Sequence, residues 1–473
     1  MLRVGLRYLF RLIVIIISCC VSHASEPALI RVDFSRDLGS VRLLDGINKG
    51  PLAPGGMLDL TQAHRELGVP FVRLHDCHWP NPDVVDIHAI FPDPEADPDF
   101  PSSYDFSLTD EYISAIRATG AQIIYRLGES IEHTSRKRFV HPPRDPAKWA
   151  KVCLGIVRHY NEGWANGFHH NISYWEIWNE PENRPAMWTG TDAQYFALYQ
   201  ETARALKHHD PQLKIGGPAV GFSGEFKNGT FSPSPFVVTF LELCRRESLP
   251  LDFFSWHCYT DDPSELTRRS QAIRSLLNTK GFTKTESHLN EWNFLPQKSW
   301  KPLSKSAQPE TRERFYTEMS GASGAAFIAS ALIELQDAPV EICNLFHGEL
   351  GGFGLFNENG VPYQNYYALR AFNQTSRSGE RVAVIGTTPG KLAALATLNA
   401  QRKETTILLV NYRSDADQVR IDLENLPWPT PGKAEIALLN EKSQWSTNRI
   451  QVSRSGIQIE LKAPSVAAVR LRP

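Results

Sequence analysis

The sequence predicts an α/β protein with a (β/α)8 TIM barrel and a C-terminal antiparallel β-sandwich. Three observations support this prediction. Between residues 41 and 377, eight short apolar runs alternate strictly with eight amphipathic segments. From residue 378 to residue 473 no helical pattern is legible, and strand-length segments are separated by turns rich in Gly, Pro, Asn and Asp. The length of 473 residues accommodates a barrel and a smaller second domain.

The first 24 residues have the three regions of a secretory signal peptide. Arginines within residues 3–11 precede an apolar run over 12–21, and small residues flank the end of the segment at Ala24. We therefore predict cleavage after Ala24 and a secreted or periplasmic protein. A lipobox-like stretch that ends at Cys19 makes a lipid anchor one alternative, and an uncleaved anchor is another. No second apolar run follows, so we expect no membrane span in the mature chain.

The barrel strands are predicted from short apolar runs, as expected of parallel strands covered on both faces. The strand candidates are Arg42–Asn48, Phe71–His75, Gln122–Leu127, Ile172–Trp178, Lys214–Gly217, Asp252–His257, Thr285–Asn290 and Ile342–His347. The helix candidates are Leu58–Leu67, Leu108–Thr119, Pro146–Tyr160, Asp192–His209, Pro235–Glu247, Pro263–Asn278, Glu310–Ala331 and Tyr363–Asn373. A doubly wound open sheet is the alternative, but no glycine fingerprint follows the first strand.

The C-terminal domain is predicted from alternating or apolar segments of strand length. These segments are Lys391–Leu398, Thr405–Asn411, Val419–Leu423, Glu435–Leu439 and Val466–Leu471. The candidate strand Leu29–Phe34, within residues 28–40, lies outside the barrel alternation. We expect it to join the sandwich.

The charge balance and the cysteines exclude several classes of protein. The chain has 50 Lys and Arg against 52 Asp and Glu, so it lacks the basic excess of a nucleic-acid-binding protein. With 42% hydrophobic residues, it is not a disordered chain. The cysteines after residue 24 are widely spaced, without a C-x-x-C motif, and predict buried thiols, with one disulfide as the alternative. They are Cys77, Cys153, Cys244, Cys258 and Cys343.

Polar side chains concentrate where the predicted strands end, which is the face on which barrel enzymes hold their active sites. Glu180 follows the fourth strand, and Glu291 follows the seventh. These strands lie on opposite sides of the barrel mouth. Two facing carboxyl groups are what glycosidic cleavage requires, because one protonates the leaving oxygen while the other attacks the anomeric carbon or activates water.

Tryptophans flank both acids in the sequence, and a surround of low polarity would keep one acid protonated near neutral pH. They are Trp175, Trp178, Trp188, Trp256 and Trp292. Structural interpretations stand beside the catalytic one. An Asn-Glu-Pro motif also fits a helix start, His257 fits a satisfied core histidine, and Arg73 fits a partner for a buried acid. The adjacent histidine pairs at 169–170 and 208–209 lack metal-ligand spacing, so we expect no metal and no cofactor.

The motifs around the two acids resemble those of a known enzyme clan. The segments are Tyr-Trp-Glu-Ile-Trp-Asn-Glu-Pro at 174–181 and His-Leu-Asn-Glu-Trp-Asn at 288–293. They are similar to the retaining glycosidases on (β/α)8 barrels and, more narrowly, to glycoside hydrolase family 39, which includes β-xylosidases and α-L-iduronidases. Residues 73–75, 255–259 and 352–360 support the resemblance, which covers about residues 28–470.

The resemblance implies roles for individual residues. Glu180 matches the acid/base, and Glu291 matches the nucleophile. Asn179 matches the residue that bonds the sugar 2-hydroxyl, and Tyr259 matches one that orients the nucleophile. The full set of expected substrate-binding residues is Asn179, His75, His257, Tyr259, Trp292 and Phe346. A retaining mechanism requires the two carboxyl groups to lie about 5–5.5 Å apart.

The implied function is a secreted retaining glycoside hydrolase that uses double displacement. Exo action of the β-xylosidase type on plant or microbial polysaccharide fragments is the leading expectation, with carbohydrate as the partner. The Pro-rich segment Asn81–Ser103, expected as a long loop on the C-terminal face, departs from family xylosidases and leaves other specificities open. These are an iduronide, arabinoside or galactoside, or an endo cut in an exopolysaccharide. A metallohydrolase lacks ligand spacing. A non-catalytic carbohydrate-binding protein is disfavoured by the presence of both glutamates. The oligomeric state is not predicted.

Overall fold

The computed structural model describes residues 26–51, 58–78, 81–429, 432–453 and 456–473. The predicted signal segment 1–24, with the alternative lipidation site Cys19, lies outside these residues. Within them, no helix combines the length and the apolarity that crossing a bilayer requires.

Eight parallel strands close into a barrel in the order of the chain, which confirms the predicted fold and excludes the open sheet. A separate strand, β1 (Ala28–Ser40), precedes them. The barrel strands and an inserted hairpin (β7 and β8) are β2 (Gly46–Asn48), β3 (Phe71–Leu74), β4 (Gln122–Leu127), β5 (Tyr174–Ile177), β6 (Lys214–Val220), β7 (Gly224–Lys227), β8 (Thr230–Pro233), β9 (Phe253–Thr260), β10 (Glu286–Phe294) and β11 (Ile342–Leu345). The inserted hairpin follows the fifth barrel strand.

The helices begin where local side chains satisfy free backbone amides. Asp145 accepts hydrogen bonds from two amides of the first turn of α4, and Thr191 forms a reciprocal capping box with Gln194 at the start of α5. The helices are α1 (Thr61–Leu67), α2 (Ile87–Ile90), α3 (Ser107–Ala118), α4 (Pro146–Glu162), α5 (Asp192–His209), α6 (Pro235–Arg246), α7 (Pro263–Thr279), α8 (Pro309–Ser320), α9 (Ala322–Glu334) and α10 (Gln364–Ser376).

Two helix predictions are corrected by the structure. The predicted single helix Glu310–Ala331 is two helices, because Gly321 has an extended backbone between α8 and α9. The expected loop Asn81–Ser103 contains the short helix α2, whose residues Ile87 and Ile90 are buried. Apolar side chains thus pack this segment onto the barrel although its prolines prevent a longer helix.

The second domain is one nine-stranded sheet rather than two separate sheets. Its remaining strands are β12 (Glu380–Ile385), β13 (Leu392–Leu398), β14 (Thr405–Asn411), β15 (Gln418–Glu424), β16 (Lys433–Asn440), β17 (Ser443–Gln451), β18 (Ile457–Glu460) and β19 (Ser465–Leu471). The order is β17-β16-β19-β14-β13-β12-β1-β15-β18, antiparallel except for the parallel pair β1 and β15. Strands near both ends of the sheet contribute to one buried cluster, for example Ile436 and Ile459, so the sheet curves around its own core.

The opposite face of the sheet packs against the barrel. Alternate residues of β13 and β14, such as Leu395 and Leu408, belong to the same buried cluster as the barrel helices. Tyr412 donates a hydrogen bond to the carbonyl of Asp261 at 2.7 Å across this contact. The apolar helix α9 is buried between the barrel and the sheet, which explains its lack of a polar face.

The five cysteines of the described chain are all buried and free. The prediction of buried thiols is confirmed, and the alternative of a disulfide is excluded. Burial raises the pKa of Cys258 to about 12, which keeps this thiol protonated and unreactive at neutral pH.

Replacing Phe34 with alanine should destabilise the β-domain by about 3–5 kcal/mol, because this ring fills the domain core. Phe34 is 1% exposed, whereas Leu38 on the same strand is 47% exposed. Leu38→Ala is therefore the control and should change stability by less than about 0.5 kcal/mol. Urea unfolding of the full chain measures both variants. Equal effects would contradict the assignment of β1 to the core of this sheet.

Candidate active site

A sharp backbone turn at the end of β5 aims Glu180 into the barrel mouth. Trp178 and Glu180 both adopt left-handed backbone angles, with φ of 70° and 45°. The Trp178 indole is buried and donates to the carbonyl of Met187 at 2.8 Å, which holds the turn in place. Opposite the turn, a Cβ on Gly221 would lie 2.4 Å from Glu180 Oε1. A larger residue at position 221 would displace this carboxyl group.

Glu291 reaches the same space from β10. The pairing of β10 with β9 shifts register between Leu289 and Glu291, and such a bulge re-aims the side chain that follows it. Tyr259 donates its hydroxyl to Glu291 Oε1 at 2.7 Å. Arg73 donates to the other oxygen at 3.2 Å. Both oxygens of Glu291 therefore have a donor that favours the ionised carboxylate.

His257 lies between the two glutamates. Its Nδ1 is 2.8 Å from Glu180 Oε1 and 3.8 Å from Glu291 Oε2. One oxygen of each carboxylate and one ring nitrogen all lie within 4.8 Å of one another. His257 was expected to contact substrate, but it does not line the cavity. It lies behind the carboxylates and bridges them.

The guanidinium of Arg73 is the centre of a buried network. Its Nε donates to Glu176 Oε2 at 2.7 Å, and its Nη1 donates to Asn48 Oδ1 at 3.0 Å as well as to Glu291. Its Nη2 donates to Asn179 Oδ1 at 2.6 Å. Arg73 and Glu176 are fully buried, so each satisfies the other's charge.

Burial and the charges of this network shift the pKa values of the two glutamates in opposite directions. Burial raises the pKa of Glu291, and the neighbouring charge of Glu180 adds to this, against the opposing effect of His257 and Arg73. Burial acts in the same direction on Glu180. There, however, the bonds from His257 and Asn183 and the nearby positive charges bring the pKa below its ordinary value. Although burial opposes it, the charges of the two glutamates raise the pKa of His257.

This electrostatic pattern differs from the one expected from the tryptophans. All five are buried in the barrel core and none lines the cavity. The apolar surroundings were expected to keep one of the two acids protonated. Instead, the hydrogen bond from His257 lowers the pKa of Glu180, and the pKa of His257 itself is raised.

A cavity of about 1130 Å³ opens above the two glutamates, large enough for a disaccharide. Six of the eight predicted site residues line it, namely His75, Asn179, Glu180, Tyr259, Glu291 and Phe346. Lys49 also lines it, with its ammonium 5.0 Å from the centre of the Phe346 ring.

Trp292 was predicted to bind substrate, and this prediction is wrong. Its side chain is fully buried and packs against Phe327 of α9, with ring centres 6.3 Å apart. Successive residues of a strand point to opposite faces, so the side chain after Glu291 points away from the cavity.

Several lining residues carry no motif and were not predicted as site residues. Asp76 and Glu182 are neighbours of predicted residues. Their positions next to strand ends could have indicated that they line the cavity. Phe222, Trp300 and Lys305 come from loops after β6 and β10. Loop conformation brings these three to the cavity, and no periodic pattern in the sequence indicates it.

A second cluster of titratable groups joins the Pro-rich segment to the barrel. His88 Nδ1 lies 2.6 Å from Glu129 Oε2, and Asp86 pairs with the buried guanidinium of Arg126 at 2.6 Å. One atom from each of Asp86, His88 and Glu129 lies within 4.8 Å of the others. The Arg126 charge already neutralises Asp86, so these contacts are better explained as the anchor of residues 81–103 than as a cation site.

Comparison with known proteins places this geometry in a family. A family model described as "Glycosyl hydrolases family 39" matches residues 56–382. A β-xylosidase from Geobacillus stearothermophilus is 25% identical over 377 residues, which cover 71% of this chain and 69% of that protein. A glucosidase structure from Croceicoccus marinus matches with a TM-score of 0.78 and 27% identity, over 94% of this chain and 99% of that one.

A β-xylosidase structure from Caulobacter crescentus shares the fold, with a TM-score of 0.67 at 17% identity over 94% of this chain and 99% of that one. The family model spans well over half of the chain. The resemblance seen in the two glutamate motifs is thereby confirmed: this chain is a glycosyl hydrolase and belongs to glycosyl hydrolases family 39.

Proposed function

We propose that this protein is an exo-acting β-xylosidase that retains anomeric configuration, with Glu291 as nucleophile and Glu180 as acid/base. The observation that carries the proposal is that one oxygen of the Glu180 carboxylate lies within 4.8 Å of one oxygen of the Glu291 carboxylate. Retaining enzymes hold their carboxyl groups about 5–5.5 Å apart, whereas inverting enzymes need about 6.5–9.5 Å to admit a water molecule. The short separation supports direct attack by one carboxylate.

The hydrogen bonds of Glu291 and the exposure of Glu180 support the assignment of roles, although in the substrate-free site the pKa of Glu180 is lowered and that of Glu291 is raised. Glu291 has a phenol on one oxygen and a guanidinium on the other, so it is held as an oriented anion. The Glu180 side chain is 16% exposed against 8% for Glu291, so it is the more accessible to a leaving group. In the first step the Glu291 oxygen bonds to the anomeric carbon while the bond to the leaving oxygen breaks. Glu180 gives that oxygen its proton, then takes one from the water that releases the sugar.

His257 binds this proton before the substrate arrives. We propose that in the substrate-free site this proton is shared between His257 Nδ1 and Glu180 Oε1, which lie 2.8 Å apart, since the charges of the two glutamates raise the pKa of the imidazole against the effect of burial. Asn179 contributes on the sugar side. Its Oδ1 accepts from Arg73, which leaves Nδ2 as the group that donates to a sugar hydroxyl.

The β-xylosidases among the relatives support a xyloside as substrate. A glucoside is the second candidate, because the glucosidase from Croceicoccus marinus matches 94% of this chain at 27% identity. The two sugars differ by one hydroxymethyl group, so hydrolysis of paired aryl xyloside and aryl glucoside substrates separates them.

We also propose secretion, on the basis of the signal segment 1–24. N-terminal sequencing of the protein exported by its host should begin at Ser25. A lipid-modified N-terminus at Cys19 would contradict this and support membrane anchoring.

Glu291→Ala should lower kcat/KM on the preferred aryl glycoside by roughly 10⁴-fold or more, because no nucleophile remains. Glu310→Ala, a change on the exposed surface of α8, is the control and should retain full activity. NMR of the first product from the wild-type protein should show the retained anomer. The inverted anomer would refute retention, and an active Glu291→Ala protein would refute the nucleophile.

Glu180→Ala should lose activity according to the leaving group. A dinitrophenyl glycoside needs little protonation and should keep a much larger share of its rate than a disaccharide. Added azide should accelerate the variant and yield a glycosyl azide of retained configuration, since a small anion fits the space of the missing carboxylate. Equal losses for both substrates, without azide rescue, would contradict the acid/base role.

The profile of kcat/KM against pH should be bell-shaped, because kcat/KM reports the free enzyme. The acid limb should lie above 4.5, since burial raises the pKa of Glu291 and protonation on falling pH removes the nucleophile. The alkaline limb should lie above 6.5, since the raised pKa of His257 retains the proton shared with Glu180. His257→Asn should move the alkaline limb to lower pH. An unchanged limb would show that His257 does not hold this proton.

A further inference from the structure

The cavity rim carries an exposed aromatic ring that the steps above do not use. Phe222 follows β6, lines the cavity beside Glu180, and is 55% exposed. Among the described lining residues, Trp300 is the other large hydrophobic side chain exposed to this degree, at 49%. Trp300 packs on Tyr259 with ring centres 5.0 Å apart, so it belongs to the Glu291 side. Phe222 is thus the exposed ring on the acid/base side.

The backbone beneath Phe222 is held against Glu180. Gly221 is so close that a Cβ there would lie 2.4 Å from Glu180 Oε1. Glu182 Oε1 accepts the amide hydrogen of Phe222 at 2.9 Å. On the other side, Arg269 donates to the carbonyl of Gly224 at 2.7 Å. The chain is fixed before and after Phe222, while its ring remains open to solvent.

The side chain of Glu182 is half-buried at this position. Its second oxygen, Oε2, is buried without a hydrogen-bond partner. Burial, with the charge of Glu180, raises the pKa of Glu182 to about 7. Burying a carboxylate oxygen without a hydrogen-bond partner is unfavourable. Because the other oxygen accepts a hydrogen bond from the Phe222 amide, the arrangement indicates that the position of this loop matters to the site.

We propose that Phe222 forms the leaving-group subsite, where its ring stacks on the flat C–H face of the departing pyranose, and that Glu182 is its positioning residue. This proposal rests on the proposed function, because Glu180 must face the glycosidic oxygen. The group beyond that oxygen then lies over the residues next to Glu180 and away from Glu291. An apolar ring suits a pyranose face, since both surfaces leave water on contact.

The subsite has a kinetic signature that separates it from the glycone site. The leaving group is present in the first step and absent from hydrolysis of the glycosyl-enzyme. Its contacts therefore act on kcat/KM for substrates that carry a leaving-group sugar. A glycosyl fluoride has the same glycone and no leaving-group ring.

Phe222→Ala should lower kcat/KM for xylobiose roughly tenfold and change that for β-xylosyl fluoride less than about twofold. Phe100→Ala is the matched control, because Phe100 is 59% exposed but lies outside the cavity. It should affect neither substrate. Wild-type hydrolysis of the fluoride tests β-xylosidase activity independently of Phe222. Equal losses of both substrates in Phe222→Ala, or no loss in either, would then overturn the subsite alone.

Glu182 is tested by comparing two substitutions. Glu182→Gln keeps an oxygen that accepts the Phe222 amide, whereas Glu182→Ala removes it. The alanine variant should reproduce the selective loss of xylobiose hydrolysis, and the glutamine variant should restore most of it. If the glutamine variant loses xylobiose hydrolysis as fully as the alanine variant, Glu182 does not act by holding Phe222.

Discussion

The guanidinium of Arg73 lies at the centre of the barrel mouth, where one cation holds residues from three parts of the barrel. It binds Asn48 on β2, Glu176 on β5 with Asn179 just after that strand, and Glu291 on β10. A buried ion pair of this kind adds little net stability, because desolvation of the charges offsets their attraction. Its main effect is to fix the positions of the side chains that it binds. Without the cation, Glu176 and Glu291 would be buried anions with no compensating charge. Either the strand ends would move apart or the carboxylates would take up protons.

The different surroundings of the two acids follow from this arrangement. Arg73 lies on Glu291 and not on Glu180, so the second glutamate takes His257 as its hydrogen-bond partner. The imidazole then becomes the third member of a set of groups that share protons, and its raised pKa is a consequence of two anions rather than of its own burial. Pairs of titratable groups with separated environments are the usual basis of acid/base division of labour. Here burial raises the pKa of Glu291, whereas the hydrogen bonds from His257 and Asn183 outweigh burial at Glu180 and lower its pKa.

The sequence predicted those parts of the molecule whose signal is local and periodic. The strand Gln122–Leu127 and the helix Asp192–His209 have the predicted bounds, because an apolar run defines the strand and a capping residue begins the helix. The strand Ser443–Gln451 was not predicted, since it is largely exposed and its residues are mostly polar. Trp292 was misplaced because a motif shows adjacency along the chain but not which face of the strand a side chain occupies.

A barrel of this construction divides recognition between rigid strands and variable loops. The proposed catalytic residues Glu180 and Glu291 stand at strand ends that the arginine network fixes, so the proposed chemistry at the anomeric carbon tolerates little change around them. Phe222 stands on a loop whose position depends on one carboxylate and one arginine from α7. Substitution there alters contacts to the leaving group without moving the reacting carboxylates. Selectivity for the leaving group can therefore change while the reaction is preserved.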